Sequence, residues 1–262
     1  MRGQHLRTPH PTNIIRAKII HKKKNMLQLT PDQIHHCRRV VTTLQRHQAE
    51  IMPVLRAPYA GTSPYWFTFS ENNPDLSDID MAHPEQLQNY ITSTVAAAGQ
   101  AFGVGHYNED RVIYQQSSLF QDGTAEPRSV HLAYDLWLPV GTPLYAPLSA
   151  TIHSVQNNNR FLDYGATIIL EHMLDDVRFY SLYGHLALRS LADKVPGQAI
   201  TQGEEFAWIG APNENGQWAP HVHAQIICDL LGRSGDFPGV ARPSERDYYT
   251  TLCPDPSLLF NY

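Results

Sequence analysis

From about residue 112 onward the chain is cut into short β-rich runs by turn-forming residues, and this limits the available folds more than any other feature. Runs at 150–155, 167–171, 179–183 and 221–227 are rich in β-branched and aromatic residues. Gly141-Thr-Pro, Asp163-Tyr-Gly165, Pro196-Gly197 and Asn215-Gly216 punctuate them. This spacing predicts an antiparallel sheet rather than βαβ units. No internal repeat is present.

The preceding residues read differently. Thr30-Pro31-Asp32-Gln33 combines a capping hydroxyl, a proline at the first helical position and a glutamine three residues after the cap. Ile34, Cys37, Val41, Leu44 and Ile51 then recur at helical spacing, predicting a helix that runs up to Pro53. A loop rich in Pro, Ser, Asn and Asp covers about 57–83. Pro84 opens a second predicted helix through Leu87, Ile91, Val95 and Ala98, ending before Gly103. A last short helix is predicted after Ser244. The expected organisation is a basic tail over 1–25, a small helical N-terminal region over 26–111 and a β domain over 112–262, which is α+β overall and mainly β.

Composition narrows the function classes. Hydrophobic residues make up 42% of 262 and charged residues 17%, enough for a packed core and too little charge for disorder. Net charge is −5, so no general excess of cations exists to neutralise phosphates, and no nucleic acid is expected as partner. The first 25 residues hold seven of the 20 basic residues and none of the 25 acidic ones. A short basic run is a weak motif, and the tail is read as an extension, or as residues upstream of a start at Met26. It lacks the apolar core of a secretory signal, so the expected location is cytoplasmic by default, with export by another route left open. No stretch reaches the roughly 20 apolar residues of a transmembrane helix. Cys37, Cys228 and Cys253 are too few and too scattered for a disulfide framework.

The 14 histidines are the compositional oddity. His131-Leu-Ala-Tyr-Asp135 offers an imidazole and a carboxylate four residues apart. His221-Val-His223 places two imidazoles on one face of a strand, because strand side chains alternate. Spacing alone cannot select a site, since His106 with Asp110 and His172 with Asp176 repeat the first pattern. His35 and His36 read as surface residues, and His106, His153 and His172 as structural ones. Tyr183 and Trp218 read as packing residues, and 213–216 as a turn beside a groove.

The context of the two His motifs is more specific. Arg128-Ser-Val-His131-Leu-Ala-Tyr-Asp135 is followed by Gly141-Thr-Pro-Leu-Tyr-Ala-Pro147, by Tyr183-Gly-His185-Leu and by Ala219-Pro-His221-Val-His223. Over about 128–228 this order resembles the LytM/lysostaphin-type zinc metallopeptidases, which are glycyl-glycine and peptidoglycan endopeptidases. The resemblance implies a compact antiparallel β-sheet metallopeptidase domain with its site in a groove between loops. It implies one Zn2+ per chain on His131, Asp135 and His223, with His185 and His221 as catalytic histidines. It further implies a peptide or peptidoglycan substrate. Ala133 stands where the family usually has glycine, and Gln225 where glutamate is frequent. Gly235-Asp-Phe-Pro-Gly-Val-Ala241 and Cys253-Pro-Asp-Pro256 also resemble the peptidase-like segment of multidomain phosphotransferase/class III aminotransferase proteins. Two alternatives stay open at this point: a cytoplasmic zinc hydrolase of small amides, and a non-catalytic zinc-binding interaction module. Oligomeric state is not readable.

Overall fold

The computed structural model describes residues 27–80, 83–116, 120–121, 123 and 126–262. The basic tail expected over 1–25 lies outside the described residues. In chain order the elements are α1 (Pro31–Arg46), β1 (Tyr65–Phe67), α2 (Pro84–Ala97), β2 (Gly103–Gly105), β3 (Val130–His131), β4 (Tyr134–Trp137), β5 (Pro143–Tyr145), β6 (Ala150–Asn158), β7 (Gly165–Leu174), β8 (Val177–Leu186), β9 (Ala199–Ile200), β10 (Glu205–Trp208), β11 (His221–Ile227), β12 (Val240–Ala241) and α3 (Arg246–Leu252), joined by short 3-10 turns.

The fold is mainly β. One sheet of eight strands runs in the order β1-β2-β4-β11-β8-β7-β6-β9, and β10-β5 and β12-β3 form two small ribbons. All pairings are antiparallel except β1 with β2. The four β-rich runs are β6, β7, β8 and β11. β7 and β11 are buried along almost their whole length, so their apolar residues read as near-continuous runs rather than alternating ones.

The Thr30 capping box is present: Thr30 Oγ1 accepts from Gln33 N–H, and the Gln33 side chain accepts from Thr30 N–H. α1 stops at Arg46, short of the expected Pro53. The chain turns at His47, whose ring contacts Glu50 and Asp175, and Ile51 is buried from the following loop. Cys37, Val40, Thr43 and Leu44 form the buried face of α1, which packs over β8 and α3. α2 ends at Ala97 and is followed by Gly99 at φ 66, a left-handed position that glycine fills without strain.

Residues 27–111 are not only helical. They also supply β1 and β2, and β2 pairs with β4, which carries Asp135. The main core includes Leu136, Ile168, Leu182, Val222 and Ile226 of the sheet. A second cluster, with Phe67, Phe69, Leu87, Ile91, Trp137 and Trp218, joins α2 to the site side. Among the described residues no helix is long and apolar enough to cross a membrane.

Candidate metal centre and active site

Four adjacent strands align one row of residues. Gly105 on β2 faces Asp135 on β4, Asp135 faces His223 on β11, and His223 faces Gly184 on β8. Directly opposed residues share a face of the sheet, so Asp135 and His223 meet. The period of two adds His221 to that face. It lies opposite Trp137, and the two rings stack with centroids 4.1 Å apart. His131 arrives from β3, which is held by β12.

His185 is delivered by a different device. On β7 the ladder steps from Ala166 to Ile168, while on β8 it steps from Leu186 to Tyr183. The additional β8 residue makes a β-bulge at Gly184-His185, a feature that redirects side chains at the ends of ladders. His185 sits at φ 62, a conformation costing a residue with a Cβ on the order of 1 kcal/mol. Its ring lies 4.2 Å from that of His221, centroid to centroid, and 6.0 Å from the Trp218 ring.

The buried donor atoms of His131, Asp135 and His223 converge, and theirs is the one such cluster among the described residues. His131 Nε2 lies 3.2 Å from Asp135 Oδ1 and 3.2 Å from His223 Nδ1; the remaining separation is 3.4 Å. The far nitrogen of each imidazole meets an acceptor. His131 Nδ1 donates to the His106 carbonyl at 3.0 Å, and His223 Nε2 donates to Gln225 Oε1 at 3.0 Å. The Gln225 amide nitrogen donates to the Pro238 carbonyl and faces Cys253 Sγ, which fixes which end of that amide accepts. These partners place each neutral imidazole's proton on its outer nitrogen. Two bare nitrogens and a carboxylate oxygen therefore face one point. Asp135 Oδ1 has no hydrogen-bond donor at all. Buried acceptors normally have one, and such a donor set suits a cation that takes nitrogen and oxygen ligands.

His185 and His221 are anchored alike. His185 Nδ1 donates to the Asn215 carbonyl at 2.8 Å, and His221 Nδ1 donates to the Ala219 carbonyl at 2.7 Å. Each presents a bare Nε2, that of His221 lying 3.7 Å from Asp135 Oδ1. Burial pushes the pKa of both His131 and His221 down to about 4 and holds that of His185 well below its usual value. Burial alone would raise the Asp135 pKa, but the neighbouring His131, Arg111 and His221 outweigh it and hold the carboxyl well below the usual range. Because His131 and His221 are neutral near pH 7, the cation named among these neighbours that keeps Asp135 ionised there is Arg111.

Nothing in the sequence singles out Arg111, Glu109 or Tyr114. Its guanidinium donates to Asp135 Oδ2, Glu109 Oε2, Tyr114 Oη and the His106 carbonyl. In the sequence Asn215 reads only as part of a turn. It is fully buried, its carbonyl takes His185, and its side chain bonds the Gly210 and Trp218 backbones. These contacts run largely to main-chain atoms and carry no side-chain signature. A stretch with the local pattern of Asn213-Glu-Asn-Gly216 announces a turn and nothing more. Tyr183 is a packing residue, buried against Phe206 and Phe260. Trp218 packs as well, and also walls the site beside His185 and His221. His172 is buried on Ser181, His106 stacks on Trp66, and His36 faces the Cys228 carbonyl.

A cleft of about 300 Å³ opens onto His185 and His223. Tyr114, Tyr164 and Trp218 line it, with Arg160, Arg233, Asp163 and Asp236 among its charged residues.

An antiparallel sheet holding a buried His-Asp-His cluster beside two further imidazoles defines a metallohydrolase class of site. Residues 129–231, less than half of the chain, match Peptidase family M23, a match that agrees with the resemblance of this stretch to LytM/lysostaphin-type metallopeptidases. No curated protein matches the sequence. Among solved structures, a zinc-containing peptidase from Vibrio cholerae is 24% identical, over 41% of this chain and 30% of that one, with a TM-score of 0.30. The catalytic domain of lysostaphin from Staphylococcus simulans is 19% identical over 52% of this chain and 97% of that one, TM-score 0.32. A catalytic-domain variant of the prophage-encoded M23 protein EnpA from Enterococcus faecalis is 20% identical over 45% and 85%, TM-score 0.31. The chain thus spans under a third of the Vibrio protein's length.

Proposed function

We propose that this protein is a zinc-dependent endopeptidase that hydrolyses peptide bonds of peptidoglycan or of glycine-rich peptides, with one zinc ion held by His131, Asp135 and His223. The observation that carries this reading is Asp135 Oδ1, buried and without a donor between two bare imidazole nitrogens. Bound zinc supplies a Lewis acid for the scissile carbonyl and a water that ionises near neutral pH.

The chain's own residues do the rest. His185 and His221 are neutral near pH 7 and each offers Nε2 as a proton acceptor. The carbonyls of Asn215 and Ala219 hold the opposite nitrogen and stabilise the imidazolium that forms when Nε2 takes a proton. That Nε2–H is then a donor, either to the oxygen gaining negative charge or to the departing amine. A volume of about 300 Å³ lies at the small end for ligand pockets. Together with its aromatic walls, it favours a peptide with little side-chain bulk at the cleaved bond.

The test is metal content and activity on one set of proteins. The parent chain is expected to carry about one zinc per chain, with His131→Ala and His223→Ala losing it. His185→Ala should keep the metal and lose cleavage of peptidoglycan and glycyl peptides by about 10²-fold or more. A folded parent that takes up no zinc when offered it would sink the reading. Zinc uptake without cleavage of any such substrate would leave a metal-binding module.

A further inference from the structure

We propose that Arg111 is a positioning residue that sets the metal affinity of the site by fixing two of its three ligands. This rests on the reading of His131, Asp135 and His223 as ligands.

The Arg111 side chain is 1% exposed, so its charge must be matched by nearby groups. Nη1 donates to Asp135 Oδ2 and, at 3.0 Å, to Tyr114 Oη; Nε donates to Glu109 Oε2 at 3.1 Å. Nη2 donates to the His106 carbonyl at 3.2 Å. That same carbonyl accepts Nδ1–H of His131 at 3.0 Å. One planar group thus reaches Asp135 directly and His131 through a shared acceptor.

Geometry makes this more than charge balance. A guanidinium is a rigid fork, so fixing two of its nitrogens fixes the third. With Oδ2 bonded to Arg111, only Oδ1 faces the histidines, and Asp135 is set to act as a ligand through one oxygen. Glu109 supplies the second carboxylate around Arg111. It is itself held by the Phe69 amide, which donates to Oε1 at 2.8 Å. Gly105 leaves the necessary room, since a Cβ there would lie 2.6 Å from Arg111 Nη2. Gly105, Glu109 and Arg111 all precede residues 129–231, the stretch matched by the family. The metal centre therefore includes a segment over 105–114 that the match does not cover.

The test measures Zn2+ affinity of the full chain, depleted of metal, by competition with a chromophoric chelator. The variants are Arg111→Lys, the charge-balanced Glu109→Gln/Arg111→Met double variant, and Gly105→Ala, which keeps every charge but crowds the guanidinium. Thermal melts report folding separately. Each folded variant is expected to bind zinc about 10–100-fold more weakly than the parent, as loss of a group that orients a ligand does elsewhere. Loaded with Co2+ instead, Arg111→Lys should show weaker visible bands than the parent, because freeing Oδ2 lets Asp135 bind through both oxygens and raises the coordination number. Zinc affinity within twofold of the parent, in variants that melt close to it, overturns the proposal. Should Arg111→Lys fail to fold, the other two variants decide the matter by the same measurement. A parent that takes up no zinc removes the ligand assignment itself, a failure distinct from normal zinc uptake in every variant.

Discussion

His172, which is not one of the clustered residues His131, Asp135 and His223, gives a quantitative handle on how this fold responds to acid. Its ring is 1% exposed, stacks on Phe179 at 4.8 Å and 15°, and is bonded to Ser181 Oγ at 2.7 Å and the Ser149 carbonyl at 3.2 Å. Burial pushes its pKa down to about 4, with the Ser149 carbonyl opposing. In the unfolded chain the value returns to about 6.5. A base with a depressed folded pKa contributes stability that is fully present above about pH 6.5 and is lost as the pH falls towards 4. At about 1.4 kcal/mol per pH unit the whole effect is roughly 3 kcal/mol, of which about 2 kcal/mol is lost between pH 7.5 and 5.0. The assay is urea unfolding of metal-free parent and His172→Gln at both pH values. His131, His185 and His221 contribute to both proteins and cancel in the comparison. The parent should lose about 2 kcal/mol more than the variant over this interval. Equal losses would refute the argument that burying this neutral imidazole carries an acid penalty.

Two further outcomes follow from the site's supports. Gly184→Ala places a Cβ 2.5 Å from Tyr164 Cδ1, and should cost about 1–3 kcal/mol in denaturant unfolding, because the ring must move against its contacts with His185 and His223 and its bond to the Phe237 carbonyl. Asn215→Ala removes the side-chain bonds that hold the loop whose carbonyl anchors His185; kcat should fall about tenfold or more at nearly unchanged zinc content, read from steady-state kinetics and metal analysis.

Much of this structure is legible in the sequence. The Thr30 cap, the four β-rich runs and their antiparallel pairing follow from local propensity and turn chemistry. The pairing of His221 with His223 follows from strand alternation, and the match of order around His131, His185 and His221 brings the histidines and Asp135 to one place. What is not legible has a common physical origin. The early end of α1 depends on the long-range contact of His47 with Asp175. Nothing local to 103–105 announces that β2 would pair with β4. Arg111 meets Asp135 from 24 positions away, and Glu109 meets the Phe69 amide from 40 positions away, and no short pattern encodes such a juxtaposition. The β8 bulge at His185 arises from a ladder slip, a property of two strands together.

The four anchored imidazoles have a consequence for anyone wishing to move this site. Three of them are oriented by carbonyls of His106, Asn215 and Ala219, which belong to the main chain. No side-chain replacement at those positions deletes such an acceptor, whereas a shift of the loop that carries it does. Copying the five side chains onto another sheet would therefore transfer the donor atoms without their orientation. The smallest portable unit is β3, β4, β8 and β11 with the bulge, together with the loop after β2 and the loop between β10 and β11, which supply those carbonyls.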